Sequence, residues 1–294
     1  MIEISPVRRY VDSGLNYLFT NNYDLSIRLL PDGFSYSIFD TERNRFLALE
    51  EYLLPSGFRF PDVMLSDDYQ LWLDKIINSN YLLKKSFNKV FVFAGGTKHT
   101  LIPVPLYDSS KNSMYLSFNH TLSDNELVCN DMIAAPETYL LYSIPVLVNE
   151  WIGKNFPSAR RFHVCSSLIR SFFTQFRGGS PVTRILANIQ SEILDILVFK
   201  GSEFQLCNSF HYSTDTDLLY YLLFVTEQLK INTDESTLFI SGRFENNSEL
   251  AGLLKTYFRF VELIPEANEF KFSAVFDDAP LHQYYDLLNV ALCG

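Results

Sequence analysis

Apolar and polar positions along the chain fall into two passages with the same order of periodicities. In the first, Leu25, Ile27 and Leu29 alternate with Asp24, Ser26 and Arg28, the period of a half-buried strand. Pro31-Asp32-Gly33 reads as a turn in which Gly33 is free to take positive φ, and Phe34, Tyr36 and Ile38 form the return strand. Arg43-Asn44 turns the chain into a third strand over 46–54. Ser66 is placed to cap a helix, because Tyr69, Trp72, Leu73, Ile76 and Ile77 then recur at i, i+3, i+4, i+7 and i+8. A short apolar strand over 90–93 ends at Gly95-Gly96.

The second passage repeats that order with almost no matching residues. Ile185, Ala187 and Ile189 alternate, a nearly continuous apolar run covers 193–199, and Lys200-Gly201 turns into Phe204, Leu206 and Phe210. Thr214-Asp215-Thr216-Asp217 has the form of a capping box. Leu218, Tyr221, Leu222, Val225 and Leu229 give the helix stripe that follows, and a strand over 238–240 ends at Ser241-Gly242. A helix over 248–257, a strand over 260–263 and a closing helix over 282–292 complete the passage.

Between the two, residues 97–136 have no counterpart and read as an insertion, with an extended segment at 100–106 and a short helix near 110–118. A strand over 139–144, a helix over 146–156 begun by Pro145, a strand over 162–165 and a helix over 168–176 then finish the first half. Gly178-Gly179-Ser180-Pro181 breaks the pattern and is the expected boundary. The expected fold is α/β: a duplicated ribonuclease-H-like (actin-like) fold, two βββαβαβα halves with mixed sheets. The domains are 1–179, carrying the insertion at about 97–136, and 180–294.

Composition narrows the function. With 47% hydrophobic and 20% charged residues the chain is globular. A net charge of −10 argues against nucleic acid as a partner, since phosphate backbones require a basic face. The start, Met1-Ile2-Glu3-Ile4-Ser5, has no basic segment before an apolar run. The longest charge-free apolar stretch, 139–149, is too short to span a bilayer and contains Pro145, so no membrane insertion is expected. Cys129, Cys165, Cys207 and Cys293 lie far apart, as buried free thiols of a reducing cytoplasm do.

Candidate chemistry is sparse. His99, His120, His163, His211 and His282 show no HxxxH or HExxH spacing, and His163 with Cys165, facing one way on a strand, reads as core packing before metal binding. Gly95-Gly96-Thr97-Lys98 resembles a fragment of a phosphate loop but lacks GxxxxGK[ST], so it reads as a turn. Asp195 stands alone on its strand, where a two-metal nuclease needs several carboxylates. Asp215 and Asp217 suit a helix start. No Ser or Cys has a nucleophile-elbow context. No catalytic residue, metal site or cofactor is expected.

The run from His211 to Phe224, Leu238-Phe239-Ile240-Ser241-Gly242 with Ser248-Glu249-Leu250 and the stretch Leu253 to Phe258, and Thr100-Leu101-Ile102-Pro103 together resemble a Bacteroidetes family known as a domain of unknown function. That family looks like a distant branch of the actin-like superfamily, near the pilus-assembly protein PilM and the type II secretion protein GspL. Nucleotide-binding members of the superfamily carry Asp-x-Gly followed by small residues at the first hairpin of each half, where backbone amides cradle phosphate and the Asp holds Mg²⁺ through water. Here Leu29, Leu30 and Pro31 flank Asp32-Gly33, and Pro31 lacks an N–H. The second hairpin reads Asn188-Ile189-Gln190-Ser191-Glu192, with no glycine and an added carboxylate. Ser241-Gly242 alone resembles the adenosine-side turn. The resemblance implies a fold and carries no known activity with it; the degenerate loops favour a cytoplasmic, non-enzymatic adaptor or scaffold that binds a protein partner, as PilM-like relatives do, with a homo-oligomer left open. The alternative is a nucleotide-binding actin-like ATPase or kinase-like switch with diverged phosphate loops. Its cleft residues would be Asp32, Gly33, Ser191, Ser241 and Gly242.

Overall fold

The computed structural model describes residues 4–55, 62–177, 181–266 and 269–289. The chain runs through β1 (Arg8–Val11), β2 (Tyr23–Leu30), β3 (Gly33–Asp40), β4 (Arg45–Leu53), α1 (Asp67–Ser79) and β5 (Lys89–Ala94). It continues through β6 (His99–Pro103), α2 (Asn112–Ser117), β7 (Glu126–Ala134), β8 (Glu137–Pro145), α3 (Val146–Asn155), β9 (Arg160–His163) and α4 (Val164–Gln175). The second half comprises β10 (Thr183–Ile189), β11 (Ile193–Lys200), β12 (Glu203–His211), α5 (Asp215–Gln228), β13 (Thr237–Gly242), α6 (Glu249–Tyr257) and β14 (Phe260–Leu263). β15 (Lys271–Phe272) and α7 (Tyr285–Leu288) follow.

The duplication is visible in strand order. The first sheet runs β1-β4-β3-β2-β5-β9, with β15 also on β4, and the second runs β12-β11-β10-β13-β14. β2 and β10 occupy equivalent central places. Each pairs antiparallel with the next strand and parallel with the strand after the first helix. Even the irregularities correspond, because the register shifts at Ile38/Phe39 in β3 and at Val198/Phe199 in β11. This is the duplicated ribonuclease-H-like architecture.

Local chemistry fixes the helices. Ser66 accepts from the Tyr69 amide at the start of α1, whose buried face is Tyr69, Trp72, Leu73, Ile76 and Ile77. Thr214 and Asp217 form a reciprocal capping box at α5, worth about 1 kcal/mol relative to alanine at the cap. The chain expected as a strand over 162–165 already turns helical at Val164. His163 is the reason: its side chain accepts from the Cys165 amide and caps α4. Cys165 thus lies in the first helical turn and does not share a strand face with His163.

The insertion is a three-stranded sheet, β6-β8-β7, with α2 against it. β8, at the expected 139–144 strand, belongs to this small sheet, so the added structure runs on to Pro145. The closing helix expected over 282–292 is a 3-10 turn, Leu281–Tyr284, followed by α7; residues 290–292 lie outside the described residues. The expected boundary at 178–181 also lies outside them, apart from Pro181.

Two helices cross between the halves. α4, the last helix of the first half, packs on the second sheet through Phe172, Phe173 and Phe176 against Phe199 and Phe239. α7 returns to the first sheet, where Asp286 pairs with Arg28 of β2 at 2.8 Å, both side chains 3% exposed. α4 and α7 also touch, with Ser167 Oγ donating to the Asp286 carbonyl. As a result both faces of the second sheet are dry. Ile185, Ala187, Leu194, Ile196 and Val198 face α5 and α6, whereas Leu186, Leu197, Phe199 and Phe239 face the first half. That double burial is why 193–199 reads as a continuous apolar run. Among the described residues no helix is long and apolar enough to cross a membrane.

Candidate functional site

The five cleft candidates come together where the two first hairpins meet. Asp32 lies in the turn between β2 and β3, and Ser191 in the turn between β10 and β11. Ser191 Oγ donates to Asp32 Oδ2 at 2.6 Å, so the hairpins touch across the junction. Ser241-Gly242 ends β13 beside them, and Ser241 Oγ donates to Asn188 Oδ1 at 2.9 Å.

Both glycines are demanded by close approach. Gly242 has φ +81°, and a Cβ there would lie 2.0 Å from the Ile189 carbonyl oxygen. A Cβ on Gly33 would lie 2.4 Å from the Tyr52 carbonyl oxygen. Gly33 does not adopt the positive φ that its turn suggested; strand crowding by β4 selects glycine.

The residue that governs the cleft is Arg243, which the sequence reading did not single out. It follows the Ser241-Gly242 turn and reaches back to the first half. Its Nε donates to Asp32 Oδ2 at 2.9 Å and its Nη2 pairs with Glu51 Oε1 at 2.9 Å. Glu51 is itself buried and accepts from Tyr284 Oη at 2.8 Å. The available signal was a cation directly after the Ser241-Gly242 turn. Arg243 supplies the positive charge beside Asp32.

The flanking positions point the same way. Pro31 removes a backbone donor at the first turn. At the second, the Gln190 amide donates to the Ile193 carbonyl, and Tyr212 Oη donates to the Gln190 carbonyl at 2.5 Å. Burial pushes the Tyr212 phenol up to about 12, so it remains a donor. Glu192 adds a negative charge to the second hairpin turn. Beside the second hairpin and the β13–α6 turn a cavity of about 380 Å³ persists, lined by Tyr212, Arg243, Phe244, Glu245 and Arg8.

Gly95-Gly96-Thr97-Lys98 forms the link from β5 to β6. Lys98 Nζ pairs with Glu126 Oε2 at 2.7 Å, and Thr97 Oγ1 lies 3.0 Å from His211 Nε2. Burial would raise the Glu126 carboxyl, but Lys98 and neighbouring donors outweigh it and hold it below its ordinary value. The lysine is a structural partner of the insertion sheet. Asp215 and Asp217 are helix-start residues, as their position implied.

Two halves of ribonuclease-H type, joined by crossing helices around a cleft, make an actin-like fold. A crystal structure from Bacteroides thetaiotaomicron, described as having an actin-like ATPase fold and unknown function, is 24% identical, with 85% of this chain and 93% of that one covered and a TM-score of 0.75. The PilM–PilN type IV pilus biogenesis complex is 9% identical over 92% of this chain and 98% of that one, with a TM-score of 0.65. These likenesses are of fold. Residues 12–261 match the model of the family described as protein of unknown function (DUF3822), and the chain belongs to that family. Among curated proteins none matches.

Proposed function

We propose that this protein is a non-enzymatic cytoplasmic adaptor, an actin-like body that holds a protein partner. The observation that carries this reading is the closed cleft. Asp32, the residue that would position a metal-bound phosphate, is bonded by Ser191 and Arg243, which tie the two halves together. The low identity to PilM limits that comparison to fold, but the pilus complex is a precedent for such a body engaging a protein. We further propose that residues 1–179 and 180–294 act as the two domains, with β15 and α7 returned to the first.

The insertion offers the partner surface. Leu106, Met114 and Phe118 are 69%, 52% and 87% exposed. Tyr107 stacks on Tyr139 with centroids 3.6 Å apart, and Tyr115 Oη donates to the Leu106 carbonyl, so these two rings organise the loop that displays the apolar side chains. Exposed apolar residues on an added element are where binding is placed without disturbing a core.

A second reading, a nucleotide-dependent switch, is favoured by one feature, the cavity of about 380 Å³ beside Gly242 and Arg243. Thermal denaturation with and without millimolar Mg–ATP separates the two. The adaptor reading expects no change in Tm. A ligand at 100 times its Kd would add about 2.7 kcal/mol, and an upward shift of that size overturns the reading in favour of the switch.

A further inference from the structure

We propose that His99, Cys165 and Cys207, with Asp195 beside them, form a site for one zinc ion that rivets the two halves of the molecule. The four residues come from three distant regions. His99 opens β6 of the insertion sheet, Cys165 lies in the first turn of α4, and Cys207 and Asp195 stand on β12 and β11 of the second half. Their spacing in sequence gives no metal motif; the packing of β6 and α4 on the second sheet creates the cluster.

The donor atoms of three of them are already gathered near the spacing of a metal-bound set. The ligand atoms of His99, Cys165 and Cys207 all lie within 4.8 Å of one another. Cys165 Sγ is 3.7 Å from His99 Nε2 and 3.7 Å from Asp195 Oδ1. Zinc–sulfur and zinc–nitrogen bonds of about 2.3 and 2.0–2.1 Å place neighbouring tetrahedral donors about 3.5–3.8 Å apart. All four residues are buried. Two thiolates and an imidazole select zinc over calcium or magnesium, which need oxygen ligands.

The surroundings supply an outer layer. Ser209 Oγ lies 2.7 Å from His99 Nε2, 3.7 Å from Cys165 Sγ, and donates to Asp195 Oδ1. Asn188 Nδ2 donates to Asp195 Oδ2 at 2.9 Å and fixes the carboxylate. His99 Nε2, the nitrogen nearest Cys165, would exchange Ser209 for the ion, while Nδ1 is buried with no hydrogen-bond partner. Asp195 is bonded by a hydroxyl, an amide and a thiol. On binding, the two thiols release their protons to solvent, and the ion takes up the resulting negative charge.

The test uses the full chain, reduced, stripped with a chelator and titrated with zinc, then with cobalt as a spectroscopic substitute. The expected result is one metal per chain by elemental mass spectrometry and a thiolate-to-cobalt charge-transfer band. Cys165→Ala and Cys207→Ala abolish the band, whereas Cys129→Ala and Cys293→Ala retain it. Asp195→Asn, which removes a charged group beside the ligands, weakens the metal by about 10–100-fold. A reduced wild-type chain that takes up no metal, or a band that survives in Cys165→Ala and Cys207→Ala, overturns the proposal. So does a Cys165–Cys207 disulfide in place of metal in protein purified under reduction. Should the cysteine variants not fold, alkylation of the wild type decides: zinc must protect Cys165 and Cys207 relative to the stripped protein, and equal labelling overturns the site.

Discussion

The two halves share a topology and solve the same packing problem with unrelated chemistry. A row of three residues crosses the first sheet, Arg28 on β2, Ser35 on β3 and Glu51 on β4. The equivalent row of the second sheet is Asn188, Asp195 and Ser209. Each row faces the junction and is met by the last helix of the other half. Arg28 meets Asp286 of α7, an ion pair in which both charges are buried. Asp195 meets Cys165 of α4, with His99 and Cys207 beside it. The lesson is that the two sheets share a strand order, while the polar groups that close each face differ. A buried face must be satisfied, but nothing requires both copies to be satisfied alike.

The sharpest way to break the comparison is at Arg28. Arg28→Met leaves Asp286 buried without its cation and should cost about 3–5 kcal/mol in denaturant unfolding, with most of it recovered in Arg28→Met/Asp286→Leu. A loss below about 1 kcal/mol would mean that α7 is not held by this pair.

The strand-end glycines sharpen it next. Ala94 of β5 and Gly242 of β13 stand at equivalent positions, opposite Leu29 and Ile189. The first half tolerates a side chain there, but Gly242→Ala forces a Cβ against a backbone oxygen at positive φ and should cost about 2–3 kcal/mol. Crystallography of the variant should show the β13–α6 turn displaced and the Arg243–Asp32 bond lengthened.

A pH test probes the first half without touching the second sheet. Asp131 accepts from the His163 amide and from Ser166 Oγ, yet burial outweighs these bonds and pushes it up to about 6. A carboxyl raised in the folded state favours folding while protonated. Its contribution is present below the unfolded value near 4 and is lost as pH rises to about 6. Asp131→Asn should therefore flatten the fall in stability between those values, as read by urea titrations across that range. A parallel fall in the variant would place the pH dependence elsewhere.

The smallest effect is Thr214→Ala, which removes the α5 cap and should cost about 1 kcal/mol, with β10–β14 intact by amide exchange. A cost near zero would show that packing of Leu218, Leu222 and Val225 alone holds the helix.

The cleft shows where reading by position reached its limit. Asp32, Gly33, Ser191, Ser241 and Gly242 are indeed neighbours, since equivalent loops of a duplicated fold converge. Arg243 was invisible because its role depends on Glu51 and Asp32, and no local pattern announces a side chain that spans two domains. Arg28 was hidden for a related reason. Alternation on β2 marks Asp24, Ser26 and Arg28 as a polar face, which is ordinarily a wet one, but α7 covers it.

The sequence by itself determined what depends on neighbours a few residues away: the period-2 and helical stripes, the caps at Ser66 and Thr214, the turn at Gly201, and through their order the doubled fold. Tertiary structure alone decided what depends on residues brought together from afar. It turned His163 from a strand residue into a helix cap, closed the cleft with Arg243, buried Arg28 against Asp286, and gathered His99, Cys165, Cys207 and Asp195 into one dry cluster. The physical reason is range. Backbone periodicity and capping act within a turn or two of chain, whereas burial, charge pairing and metal ligation act through space and are fixed once the two sheets and their crossing helices have packed.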